Sequence, residues 1–146
     1  MIIVDHTDMN KYIDNLCDVQ APIAKRVDSL FCMRSFEEIE AVDGLIKAFY
    51  SEKKSELLLH EICYCLGQMT NTPEHIQKIT AFLEKLLDED HPQIVIHEAV
   101  EALGNMNNYD SLKLLKKFEA EDSPHTEMVR ETVELARDLI EWNNKT

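Results

Sequence analysis

Two thirteen-residue stretches of the chain, LLLHEICYCLGQM at 57–69 and IVIHEAVEALGNM at 94–106, are copies of one another. A shift of 37 positions superposes His60 on His97, Glu61 on Glu98, Leu66 on Leu103, Gly67 on Gly104 and Met69 on Met106. The core positions between these identities are apolar in both copies. A repeat of this length restricts the chain to an architecture in which one supersecondary unit stacks on the next, because a single unit cannot bury its own apolar face. Fainter copies flank the pair: RVDSLFCM at 26–33 sets Val27 and Asp28 at the His-Glu positions, and VRETVELA at 129–136 sets Arg130 and Glu131 there. The scaffold therefore repeats four times, and the central two copies carry His-Glu.

The unit is a helical hairpin. Apolar residues recur with the 3.6-residue period of a helix, and no alternating strand pattern of useful length occurs. Turn chemistry separates the periodic stretches. NTPEH at 71–75 offers Thr72 as an N-cap with Pro73 at the first helical position, and DSPHTE repeats this with Ser123 and Pro124. DEDHPQ at 88–93 is a turn ended by Pro92, and NNYDS at 107–111 offers Asp110 as a further cap. The predicted helices are 9–19, 22–33, 36–50, 55–69, 73–88, 93–106, 110–120 and 124–142. Eight helices in four pairs predict an all-α fold, an α-solenoid of about four HEAT-like hairpins, as one domain over 1–146. The second helix of each pair is expected to line the concave side.

Charge and cysteine usage narrow the function classes. A net charge of −13 repels a phosphate backbone and favours a cationic ligand or partner, so nucleic acid is not an expected partner. No apolar run reaches the length of a membrane span, and MIIVDHTDMNKY at the N-terminus lacks a basic start followed by a long hydrophobic stretch. A cytoplasmic protein without a membrane partner is expected. Cys17, Cys32, Cys63 and Cys65 read as reduced thiols, since Cys63 and Cys65 share one helix. A C-x-C on one helix with no second such pair is not a zinc site.

At 100° per residue, Leu58, Leu59, Ile62, Cys65, Leu66 and Met69 fall within about 60° of one direction. His60, Tyr64 and Gly67 lie opposite. In the second copy Val95, Ile96, Ala99, Ala102, Leu103 and Met106 form the core stripe, with His97, Glu101 and Gly104 opposite. Both duplicated histidines thus face away from the packed seam, which is a poor place for a core histidine. His6, His75, His91 and His125 fall at a terminus, in a turn or in first helical turns, and read as surface residues. Neighbouring helices run about 8–10 Å apart, so imidazoles at facing positions can meet on one ion. Glu61 and Glu98 are rotated by about 100° from their histidines and turn towards adjoining helices. Imidazole with carboxylate oxygen and open positions suits non-haem iron, with zinc or manganese as alternatives. A mid-helix glycine costs about 0.5–1 kcal/mol, so the recurrence of Gly67 and Gly104 implies close approach of a ligand or a second backbone, or an early helix end.

LLLHEICYCLGQM and IVIHEAVEALGNM, with RVDSLFCMRSF upstream and VRETVELARDLIEW downstream, resemble the N-terminal half of deoxyhypusine hydroxylase over about residues 21–142. The resemblance implies an iron-dependent monooxygenase built from two HEAT halves, each contributing two His-Glu pairs to a di-iron centre. It implies a deoxyhypusine-containing translation factor as substrate. By position, His60, Glu61, His97 and Glu98 would hold metal, with Glu98 the carboxylate ligand and Glu61 a ligand or its close neighbour. Glu61 and Glu98 would also be the catalytic carboxylates. An acidic face around Glu61, Glu98 and Glu101 suits the ammonium groups of the substrate arm.

The chain departs from the family pattern in carrying two His-Glu pairs where full-length members carry four. Leu59 and Ile96 also stand where the family often has a basic residue. Three readings follow. A homodimer with one Fe(2+) per chain would rebuild the di-iron site through a two-fold axis. A partner half, or the remainder of a longer gene, would do the same. A non-catalytic HEAT interaction scaffold would hold one metal ion or none.

Overall fold

The computed structural model describes residues 4–119 and 124–145. Among them the chain forms eight α-helices and no strand: α1 Met9–Cys17, α2 Ile23–Arg34, α3 Ile39–Ser51, α4 Glu56–Gln68, α5 Pro73–Leu87, α6 Gln93–Met106, α7 Leu112–Lys116 and α8 Glu127–Asn143. A 3-10 turn, Tyr109–Ser111, leads into α7. The all-α repeat architecture expected from the period is the one found.

Consecutive helices pair as hairpins, and the hairpins stack in two layers. The second helices α2, α4, α6 and α8 lie side by side in one layer, and α1, α3 and α5 follow one another in the other. Buried residues from both layers, among them Leu30, Leu45, Ile62, Leu83, Val95 and Val133, form one apolar cluster. Each such side chain contributes about 1.5–3 kcal/mol on leaving water.

Local chemistry sets the helix ends. Thr72 accepts a hydrogen bond from the His75 amide and Pro73 opens α5, as the sequence predicts. Ser55 caps α4 by accepting from the Leu58 amide. Asn107 ends α6 in the left-handed region at φ 56°, where an asparagine is tolerated, and its carbonyl and side chain accept from Asn144 and Asn143.

Three expectations are corrected. The stretch 110–120 is split into a 3-10 turn and a five-residue helix, and the cap is Asn108, which accepts from the Asp110 amide, rather than Asp110. Helix α8 starts three residues after Pro124, capped by Thr126, whose hydroxyl accepts from the Val129 amide; Ser123 and Ala120 lie outside the described residues. The third concerns the histidines: His6 is exposed, but His75 is buried against its own cap, with Nδ1 2.6 Å from Thr72 Oγ1. His91 and His125 are half-buried, their rings against Phe49 and Phe118.

All four cysteines are free thiols. Burial pushes the Cys63 thiol well above its ordinary value and Cys65 up to about 12, so both behave as apolar core residues. Among the described residues no helix is long and apolar enough to cross a membrane.

Candidate metal centre

The centre sits where α4, α6 and α8 lie side by side. Leu58, Leu59, Ile62, Cys65, Leu66 and Met69 are buried as the helical phase of α4 predicts. The opposite face of the helix is only partly open: Tyr64 is exposed, but the next second-layer helix lies against Gly67 and His60. A Cβ on Gly67 would come 2.9 Å from Ala102 Cβ, and one on Gly104 would come 2.8 Å from Ala136 Cβ. The glycines therefore serve backbone approach between neighbouring repeats.

That approach brings the His-Glu pairs into contact across the joint. His60 Nε2 lies 3.0 Å from Glu98 Oε2, so the carboxylate of the second repeat reaches the imidazole of the first. His60 Nδ1 is buried without a hydrogen-bond partner, with Glu61 Oε1 at 3.5 Å. His97 Nε2 lies 3.4 Å from Glu101 Oε2, and its Nδ1 lies 2.8 Å from Thr132 Oγ1 on α8. Ligand atoms of His97, Glu98 and Glu101 all fall within 4.8 Å of one another. His60 is outside this trio and joins it through Glu98.

Glu98 is 4% exposed. Its burial, and next the charges of Glu101 and Glu61, push its carboxyl up to about 7. Glu98 and Glu101 thus converge, with Glu61 near enough to repel Glu98; among the described residues no lysine or arginine is ion-paired with any of the three, and two imidazoles edge the group. A divalent cation fits this donor set: it would relieve the mutual repulsion of the acids and give the unpartnered His60 Nδ1 or the imidazole Nε2 atoms an acceptor for their lone pairs.

Of the residues singled out from sequence, His60 and Glu98 are in direct contact, His97 and Glu98 share the trio, and Glu61 stays beside its own histidine. Glu101 enters as a potential ligand as well as part of an acidic face; its i+4 spacing from His97 is the signal that finds it. Thr132 was not anticipated. The fourth repeat is in a register one residue from the one read in sequence. Gly67 meets Ala102 as Gly104 meets Ala136, and His60 meets Glu98 as His97 meets Thr132. Glu131 and Thr132, rather than Arg130 and Glu131, therefore stand at the His-Glu positions of α8.

No protein-family model matches the chain. A human deoxyhypusine hydroxylase structure in complex with glycerol superposes with a TM-score of 0.73 at 31% identity, covering 93% of this chain and 44% of that one. The chain is similar to deoxyhypusine hydroxylase in sequence and in fold. The deoxyhypusine hydroxylase of Neurospora crassa is 36% identical in an alignment 142 positions long that covers 90% of this chain and 41% of that protein. The Dictyostelium discoideum deoxyhypusine hydroxylase is 44% identical over 69 residues, 47% of this chain and 21% of that protein. The chain thus spans less than half the length of these deoxyhypusine hydroxylases.

Proposed function

We propose that this chain is one half, the N-terminal one by its motifs, of a deoxyhypusine hydroxylase-type iron monooxygenase acting on the deoxyhypusine side chain of a translation factor. A second copy of the chain, or a complementary partner half, completes the site. The observation that carries the reading is the contact of His60 with Glu98 across the α4–α6 joint, beside the trio of His97, Glu98 and Glu101. Similarity to deoxyhypusine hydroxylases over 90% of the chain supports the same chemistry.

In this reading His60, Glu61, His97 and Glu98 hold Fe(2+), one per chain and two on pairing, with Glu101 available as a further oxygen donor. Iron so held supplies the oxygen activation that insertion of one oxygen atom into a carbon–hydrogen bond requires. The chain's own residues do the rest. Glu61 and Glu101 present exposed or half-buried carboxylates beside the metal residues, and these attract the ammonium groups of the substrate arm. Glu98, whose burial favours the protonated acid in the metal-free chain, would give up that proton on binding the ion, and Glu61 beside His60 is the carboxylate placed to take or return one during the reaction. The compartment we propose is the cytoplasm.

A second copy has a face to use. Met128, Leu135, Leu139 and Trp142 are exposed on α8 and fall within about 60° of one direction. Buried Thr132 lies under the same stripe and touches His97, so a chain seated there closes over the candidate centre.

Untagged protein purified without chelators is expected to carry iron and to scatter light as a dimer. His60→Ala and His97→Ala are each expected to lose most of that iron and to abolish hydroxylation of a deoxyhypusine-bearing factor. Unchanged iron content in both variants would sink the ligand assignment. A monomer inactive on that factor would favour the interaction scaffold.

A further inference from the structure

We propose that Thr132 is a positioning residue for His97, holding its ring as the Nδ1–H tautomer and leaving Nε2 as the nitrogen free to bind metal. The metal half of this statement rests on the reading of His97 as a ligand; the tautomer does not.

The hydrogens available to Thr132 and His97 fix the tautomer. Thr132 Oγ1 lies 2.7 Å from the Met128 carbonyl oxygen one turn back on α8. A carbonyl oxygen only accepts, so two oxygens at that distance require the hydroxyl hydrogen between them. Threonine has one such hydrogen. The same Oγ1 lies 2.8 Å from His97 Nδ1, and with its hydrogen directed at Met128 it can only accept from the ring. Nδ1 therefore carries a hydrogen. A neutral imidazole has a single N–H, so its other nitrogen holds a lone pair. That nitrogen, Nε2, is the one directed to the carboxylate side, 3.4 Å from Glu101 Oε2. Thr132 is 8% exposed, which keeps water from competing for the contact.

The repeat makes the placement specific. In α6 the position that faces the preceding histidine is Glu98; in α8 the equivalent position is Thr132. A carboxylate accepts from either ring nitrogen and stabilises the doubly protonated ring. A hydroxyl already donating to its own backbone instead selects one neutral tautomer. The two histidines are thereby made unequal: His60 turns Nε2 to Glu98, whereas His97 turns Nδ1 to Thr132 and exposes Nε2 to the carboxylates. A ligand histidine whose other N–H is anchored in this way is held in orientation and made a better donor.

Long-range proton–nitrogen correlation spectra of the metal-free full chain, with histidine nitrogens labelled and His97 assigned through the His97→Gln variant, read the tautomer directly. The expected result for the neutral ring is a protonated Nδ1 and a bare Nε2. Thr132→Ser should preserve this pattern, and Thr132→Val, of the same shape without the hydroxyl, should lose it. Anaerobic titration with Fe(2+) should show affinity about 10–100-fold weaker in Thr132→Val and little changed in Thr132→Ser. A wild-type ring protonated at Nε2 overturns the proposal whatever the metal does, as does a Thr132→Val chain that keeps both the Nδ1–H tautomer and the iron affinity. If His97→Gln binds Fe(2+) as tightly as wild type, the ligand reading fails separately while the tautomer assignment stands.

Discussion

A methyl group on Gly104 would sit 2.8 Å from Ala136 Cβ and 2.9 Å from Ala136 Cα, closer than real Cβ atoms come to anything. The Cα is backbone and cannot step aside without moving α8. At Gly67 the corresponding distances to Ala102 are 2.9 Å and 3.3 Å, and at Gly44 the obstacle is Ile13 Cδ1, the free end of a flexible side chain. Alanine gains up to about 1 kcal/mol of helix propensity at each site, while overpacking costs about 1–3 kcal/mol. Urea denaturation should therefore rank Gly104→Ala as the most destabilised, Gly67→Ala next and Gly44→Ala near wild type. Gly104→Ala should also weaken iron binding, because displacing α8 separates Thr132 from His97.

At the scale of elements, a buried ion pair ties the first two hairpins together. Arg26 on α2 donates through Nε to the Leu16 carbonyl at the end of α1, and through Nη2 to Glu52 after α3. The other carboxylate oxygen of Glu52 accepts from the amides of Lys53, Lys54 and Ser55, which shapes the turn into α4. Glu52→Ala leaves the Arg26 guanidinium buried without its counter-charge and should cost about 3–5 kcal/mol in denaturant unfolding. Burial alone would raise the Glu52 pKa; the Lys54 and Ser55 amides and Arg26 outweigh it and hold the carboxyl below its ordinary 4.5. A depressed carboxylate contributes stability that is present above the unfolded value and lost as pH falls through the folded one. Unfolding midpoints of the wild type should thus decline in acid below about pH 4.5, and less steeply in Glu52→Gln. This pair was not legible from sequence: Arg26 and Glu52 are 26 residues apart, and nothing local marks either as buried. The helices themselves were legible, with α4 and α6 found within one residue of the expected 55–69 and 93–106.

On the scale of the whole molecule, the exposed stripe of α8 decides whether the proposed second half is a copy of this chain. Met128, Leu135 and Trp142 recur at seven-residue intervals, with Leu139 between the last two, the spacing of a helix seam. Leu135 lies at the middle, 58% exposed, so a two-fold axis there sets Met128 opposite Trp142. Leu135→Glu should convert a light-scattering dimer to a monomer with unchanged helical circular dichroism. Glu131, Glu134 and Asp138 beside the stripe are all acidic and exposed, and each copy carries a net charge of −13. Added salt screens that repulsion and should tighten the dimer, the opposite of what a basic partner would show.

From the chain alone came the repeat, the eight helices and the azimuth of each side chain about its own helix axis, because backbone geometry rotates every residue by about 100° whatever surrounds it. His60 and His97 were therefore placed together, on the face away from the core stripe. How one helix is offset against the next depends on loops and packing distributed along the whole chain, and this offset decided the contacts between repeats. It sent Glu98 to His60 and Thr132 to His97, buried Glu98 among acids, and turned Gly67 and Gly104 into joints between helices. The weak motif of the fourth repeat leaves its register open by one residue, yet that residue determines which atom meets the His97 imidazole.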